Sequence, residues 1–393
     1  MKIGSSRAVW LDYLRAFVTL LVVAHHAALA YPTFAYFDVG HYIYSTAPIV
    51  DKSRWVGMDT LIGFNDLFFM PLMFLISGLF VYRGLQKKGT RGYLADRFIR
   101  LGIPFILAEL VLIPLAYFPS YYLAAKLTNF LSFVEDYVNK QQWPVGPPWF
   151  IWLLLAFDGV AVLLFTLNSS IFPAVGNRLV SLLKRPVRFG LVLYGAVALS
   201  LIPLSLWVGQ YTWVGQWGPF DFQLNRLFFY LFFFLLGACM GSVDWQSYLF
   251  QQTRLFNTHW LVWILISLLA YRAVGLVSSL GTDWVKQGMI SSTVGYLLYD
   301  LAFVASCLAS MSACLAFFRQ VMNHPSPNWT HLSDNAYGIY LAHYPFVTWL
   351  QFAFLGIDIP VVVKFFVVFL GALSLSWFVS SLARRNTVTA QIV

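Results

Sequence analysis

The sequence predicts an all-α, polytopic integral membrane protein with about ten transmembrane helices. Three observations carry that prediction. Of 393 residues, 60% are hydrophobic and only 10% charged, where an ordinary soluble domain has about 25% charged. The apolar residues run in stretches of about 20, the length a helix needs to cross roughly 30 Å of hydrocarbon. Those stretches are continuous, unlike the roughly 10-residue alternating strands of a transmembrane barrel. The same composition excludes a disordered chain and a disulfide scaffold.

The first candidate span covers residues 11–31. MKIGSSRAVWLDYLRAF has no short apolar core ending in a small-residue cleavage site, so the first helix is expected to stay in the protein. Further spans fall near 65–83, 98–118, 149–168, 189–208, 223–242, 259–278, 291–317, 335–354 and 360–382. The ninth is the most polar, because HLSDNAYGIYLAHYPF enters it. Ten spans put both termini on one side. Lys and Arg then favour that side by about two to one, with Lys2, Arg7 and Arg254 among them, which places both termini in the cytoplasm. This bias also accounts for the net charge of +9, so no nucleic-acid partner is expected. A single membrane domain over residues 1–393 is expected, with no appended soluble domain and room for a homodimer. Cys239, Cys307 and Cys314 lie in apolar stretches without metal or redox spacing. The connections 32–64 and 119–148 should lie outside. Their aromatics and prolines suit an interfacial belt or a surface for a large acceptor.

Ionisable groups inside a span are costly and mark function. The first span carries Asp12, Arg15, His25 and His26. Arg15 to His26 is eleven steps, about 20° past three full turns, and Asp12 precedes Arg15 by one i,i+3 step. Asp12, Arg15, Thr19 and His26 therefore share a face, with His25 about 100° away. His26 reads either as a general base, since imidazole titrates near neutrality, or as a packing histidine. His25 reads as packing.

The third span opens with RFIRLGIPF. Arg97 and Arg100 could grip phosphates of a nucleotide-bearing donor, or could simply mark topology. Ser77 and Gly78 sit in an apolar run without a nucleophile elbow, which suits helix approach. Glu109, Asp158 and Asp300 are isolated acids, each a candidate partner for Arg15 or an imidazole. Asn335, Tyr340 and His343 cluster in the ninth span, with Tyr340 and His343 on one face. His41, His259, His324 and His331 show no metal spacing.

In order, these pieces are Leu11-Asp12-Tyr13-Leu14-Arg15 followed by His26, FLISG ending at Ser77-Gly78, Arg97-x-x-Arg100-Leu101-x-x-Pro104, and Tyr340-x-x-His343-x-Pro345. The chain thereby resembles the acyltransferase family 3 membrane proteins over about residues 8–380. Within them it looks most similar to members that succinylate osmoregulated periplasmic glucans, inner-membrane proteins of bacteria. One departure is Pro147-Pro148-Trp149-Phe150, where the family often has H-L-W-F. The role of that histidine is not carried over, whereas Trp149 is. The resemblance implies an acyl-CoA donor, succinyl-CoA or acetyl-CoA, and no permanently bound cofactor or metal. It implies His26 as catalytic base supported by Arg15 and Asp12. Arg97, Arg100 and Ser77 would contact the donor, and His343, Tyr340 and Trp149 would line the substrate pocket. The acceptor would be a glycan hydroxyl outside the membrane. Arg226 or Arg272 could meet a succinyl carboxylate. A sugar transporter or lipid-linked flippase is the competing class, and it would need no acyl donor.

Overall fold

The computed structural model describes residues 8–214, 218–247, 259–386 and 389. Lys2, Arg7 and Arg254 lie outside the described residues. The architecture is all-α. Its main helices are α1 Val9–Ala28, α2 Val56–Gly78, α3 Val81–Ala125, α4 Trp149–Leu167, α5 Ile171–Leu183, α6 Pro186–Val208, α7 Leu227–Gly241, α8 Trp260–Lys286, α9 Ser292–Val321, α10 Pro327–Ala353 and α11 Val361–Ala383. The strands described are the antiparallel pair β1 Trp213–Val214 and β2 Phe222–Gln223.

Among the described residues, eight helices are long and apolar enough to cross a membrane: α2, α3, α4, α6, α7, α8, α9 and α11. The protein is a multi-pass membrane protein. Helices also cover the first and ninth expected spans, as α1 and α10. Both are long enough, but α1 carries Asp12, Arg15, His25 and His26, and α10 carries His331, Asp334, Asn335 and His343. The polar residues that lower their hydropathy include the candidate site residues read from the sequence.

Several expected boundaries are corrected. Helix α2 begins at Val56, nine residues before the expected span, because Gly57, Asp59 and Asn65 do not break a helix whose buried face is set by Met58, Ile62 and Leu67. The charged stretch expected as a loop before the third span is helical over Val81–Arg97, bent at Gly89, where φ is 68°. Polar surface is no obstacle to a helix that lies outside the hydrocarbon. The connection 119–148 is partly helical too, through the end of α3 and a short helix Phe130–Glu135 capped by Asn129.

Prolines shape α3. Proline lacks an N–H and cannot satisfy the carbonyl four residues back. Two π-helical turns, Phe98–Gly102 and Ala108–Leu112, precede Pro104 and Pro114. The carbonyl that Pro104 leaves free, Arg100 O, accepts the Tyr337 hydroxyl at 2.7 Å. The carbonyl that Pro119 leaves free, Leu115 O, accepts the Trp349 indole N–H at 2.9 Å. The broken hydrogen-bond ladder of α3 is thus repaired by side chains of α10, which fixes the two helices against each other.

Helix α1 is central, packed against α2, α9, α10 and α11. Helices α2 and α7 meet with almost no gap. A Cβ on Gly78 would lie 2.1 Å from Phe234 O, and one on Gly237 would lie 2.2 Å from Leu75 O. At the far end of α1, Lys364 of α11 reaches Asp51 at 2.6 Å, both fully buried, and ties the connection after α1 to the bundle.

Candidate active site

His25 and His26 occupy the last turn of α1. Gln351 of α10 donates to the carbonyls of His26 and Ala27, at 3.0 and 3.2 Å, satisfying two acceptors that the helix end leaves free. His26 Nδ1 lies 2.8 Å from Val22 O and 3.2 Å from His343 Nε2. His343 is fully buried, and its Nδ1 lies 2.6 Å from Tyr340 O. A carbonyl can only accept, so each Nδ1 carries the proton in the neutral imidazole. His343 Nε2 is then an acceptor aimed at His26 Nδ1–H, and the lone pair of His26 falls on Nε2. The pair has the base-and-orienter arrangement of a nucleophile-activating dyad. Tyr344 packs edge-on to His26 with ring centroids 5.2 Å apart.

The stripe on α1 keeps accessible surface at its two ends, while Thr19 between them is buried and donates to Arg15 O at 3.2 Å. Arg15 is exposed and Asp12, His25 and His26 are half-buried, while Leu14, Ala16 and Val18 are closed off. Arg15 and His26 are separated by about 16 Å along the helix. His25 points elsewhere, stacked on Phe69 with centroids 5.2 Å apart.

The arginines differ in availability. Arg97 Nε lies 3.0 Å from the Tyr93 hydroxyl and 3.3 Å from Asp158 Oδ2, so that edge of its guanidinium is committed within the bundle. Arg100 is 56% exposed and pairs at 3.4 Å with Asp96. Ser77 is half-buried and makes no side-chain hydrogen bond among the described residues. Tyr340 is buried and donates to Pro147 O, pinning the chain before α4 against α10. Trp149 sits in a separate aromatic group with Tyr230 and Trp213, at centroid distances of 5.5 and 5.9 Å. Asn335 ties α10 to α11 through Ser380 at 2.9 Å. Of the isolated acids, Asp158 meets Arg97 and Tyr93, and Asp300 accepts from Gln210 at 3.2 Å. These contacts tie α4 to α3, and α9 to the chain after α6, rather than supporting either imidazole of the pair.

Two features escaped the sequence reading. Arg226, 3% exposed, makes a two-pronged pair with Asp66 at 2.9 and 2.6 Å beneath His25. Asp66 stood at the edge of an expected span, where a carboxylate attracts no notice. The other is a strap over α3. Gln142 and Trp143 both have left-handed backbone, with φ of 56° and 52°, a conformation residues with a Cβ seldom adopt. Beneath it, both carboxyl oxygens of Glu109 and the indole nitrogen of Trp143 are buried without a well-formed hydrogen bond. Glu109 stood out as an intramembrane acid and the connection 119–148 for its aromatics and prolines, but nothing in the sequence marked the left-handed backbone of Gln142 and Trp143 or brought the two segments together. Among the described residues no cluster of His, Cys, Asp or Glu could hold a metal ion.

The model of the acyltransferase domain family matches residues 8–381. The chain belongs to that family. It is similar to glucans biosynthesis protein C of Shigella dysenteriae serotype 1, 27% identical over 367 residues that cover 87% of this chain and 83% of the relative. The protein of the same name from Escherichia coli O157:H7 is 26% identical over the same shares. No solved structure matches the chain. The residues matched by the family model include the imidazole pair, the arginine end and the strap.

Proposed function

We propose that this membrane acyltransferase moves an acyl group from acyl-CoA on the cytoplasmic side to a hydroxyl of a glycan on the other side of the bacterial inner membrane. The observation that carries the reading is the His26–His343 pair, whose tautomers leave a lone pair on His26 Nε2. His26 takes the acceptor's proton at Nε2 as the hydroxyl oxygen attacks the thioester carbonyl. The tetrahedral intermediate collapses with loss of the coenzyme A thiolate, and the imidazolium returns the proton to sulfur. The products are an ester and free coenzyme A. His343 Nε2 accepts from His26 Nδ1–H throughout and holds the ring as its charge changes. Arg100, the Nη groups of Arg97 and Ser77 are assigned to the donor, and Arg15 and Asp12 line its path toward His26. Tyr340 and Trp149 are assigned to the acceptor side, joined by Glu109 and Trp143 under the strap. Carboxyl and indole groups suit sugar hydroxyls and ring faces.

Succinyl is the favoured group, from the resemblance to glucan-modifying relatives, and acetyl is the alternative. Arg226 is engaged by Asp66, so a succinyl carboxylate has to exchange with Asp66 or be met by another cation.

The test is free-thiol release by purified protein from succinyl-CoA and acetyl-CoA, with and without extracted glucan. Acceptor-dependent release is expected from one donor, reduced about 10²–10⁴-fold in His26→Gln, the usual share of general-base catalysis. Equal turnover in the variant removes His26 from the chemistry. No release from either thioester, with transport of sugar by reconstituted protein, replaces the reading with the transporter class.

A further inference from the structure

Helix α6 carries two apolar cavities on opposite flanks of its first three turns. The larger, about 390 Å³, lies toward α2, α7 and α9, with Trp245 and Trp263 among its lining residues. The smaller, about 210 Å³, lies toward α5 and α7. Phe189, Leu193 and Leu236 form the ridge between them and line both. From Phe189 to Leu193 the ridge runs about 6 Å along the helix axis. In a bilayer such crevices fill with hydrocarbon, because lipid tails are as apolar as the leucines around them. Shape alone would admit any tail.

Charge at the mouth narrows the choice. Lys184, Arg185 and Arg188 stand exposed at the start of α6, beside Pro186 and Phe189 of the cavity walls. None of the three pairs with a carboxylate among the described residues, whereas Lys88 and Arg100 both pair with Asp96. Two tail-sized clefts astride one helix, with three unpaired cations at their shared mouth, match two acyl chains joined to one anionic headgroup. Basic clusters beside clefts between membrane helices recognise anionic lipid headgroups in this way.

We propose that α6 binds one diacyl anionic phospholipid of the surrounding leaflet, its two tails straddling Leu193 and its phosphate on Lys184, Arg185 and Arg188. The site is remote from His26 and does not depend on the proposed reaction.

Native mass spectrometry of the full chain, released from micelles holding equal dioleoyl phosphatidylglycerol and dioleoyl phosphatidylcholine, tests this. One phosphatidylglycerol per chain is expected to survive, at least fivefold over phosphatidylcholine. The triple variant Lys184→Gln, Arg185→Gln, Arg188→Gln is expected to lose that preference. Leu193→Trp, which crowds the ridge shared by the clefts and leaves the charges in place, is expected to lose retention of the diacyl lipid. Should the triple variant fail to fold, Leu193→Trp still decides. Equal retention of the two lipids, no retained lipid, or unchanged retention in Leu193→Trp overturns the proposal.

Discussion

At the scale of single residues, the site rests on which nitrogen carries a proton. Val22 O and Tyr340 O are pure acceptors, and they set both imidazoles without help from a carboxylate. His343 is then a positioning residue, and its loss should affect rate more than binding. In His343→Gln, kcat is expected to fall by less than in His26→Gln, within the range of about 10²–10⁴-fold for general-base catalysis, with KM for donor and acceptor unchanged. Steady-state kinetics with both substrates varied would check this; a raised acceptor KM at constant kcat would instead make His343 a pocket residue. The Asp66–Arg226 pair permits a stability prediction. Arg226 is buried while the Asp66 side chain is 35% exposed, so it is removal of Asp66 that strands a charge in a low-dielectric interior, at a cost of up to about 3–5 kcal/mol, whereas replacing both by apolar side chains of similar size is close to neutral. Asp66→Leu alone is therefore expected to lower the melting temperature in detergent sharply, and Asp66→Leu with Arg226→Met to recover most of the loss. A double variant no more stable than the single would show that the ion pair itself holds α2 to α7. His26 was legible in the sequence because eleven residues of helix bring it onto the face of Arg15. The pairing with His343 was not, since 317 residues separate them and only packing of α1 on α10 brings them together.

At the scale of elements, the motif residues divide into those that do chemistry and those that make helices fit. Gly78 and Gly237 let α2 and α7 touch backbone to backbone. Pro104 frees Arg100 O to hold Tyr337 of α10. Both roles were hidden from a reading of spans, which registers an apolar run and a helix breaker but not the neighbour each one serves. Gly78→Ala is expected to cost about 1–3 kcal/mol, because the added methyl meets a carbonyl that cannot move without parting two helices. Tyr337→Phe should cost about 0.5–1.5 kcal/mol, the net worth of one hydrogen bond, because Arg100 is exposed and water can replace the lost hydroxyl. Thermal unfolding monitored by size-exclusion fluorescence measures both. Ser77→Ala, beside Gly78, is expected to leave the unfolding temperature within the range of an ordinary surface change and to raise only the donor KM. A large fall in stability for Ser77→Ala would place that serine with the packing residues and remove it from the donor site. The ends of α2 and α10 were misread for a related reason. Both helices begin in polar sequence, and hydropathy cannot see a helix that starts before its apolar part does.

At the scale of the whole molecule, the basic stretch and the imidazole pair lie at opposite ends of α1. The exposed stretch of α3 with Lys88, Arg91 and Arg100 lies at the end where α1 begins, since Tyr13 of α1 and Tyr337 of α10 bind the same end of the bundle. His26 lies at the far end of α1, near the connection that Lys364 ties down through Asp51. A donor at the first end and an acceptor at the second would meet along the α1 stripe, which requires the basic end to face the cytoplasm. The charge bias of the loops predicts that orientation. It can be read directly in spheroplasts from a chain with Cys239, Cys307 and Cys314 replaced by alanine and one new cysteine at a time. Gln86→Cys, on the exposed face of α3, should resist a membrane-impermeant maleimide until the membrane is opened. Asp38→Cys, in the connection after α1, should react at once. Labelling in the reverse order would place the arginine end outside, away from cytoplasmic acyl-CoA. The imidazole pair would then have to draw its acyl group from a donor on the other side of the membrane.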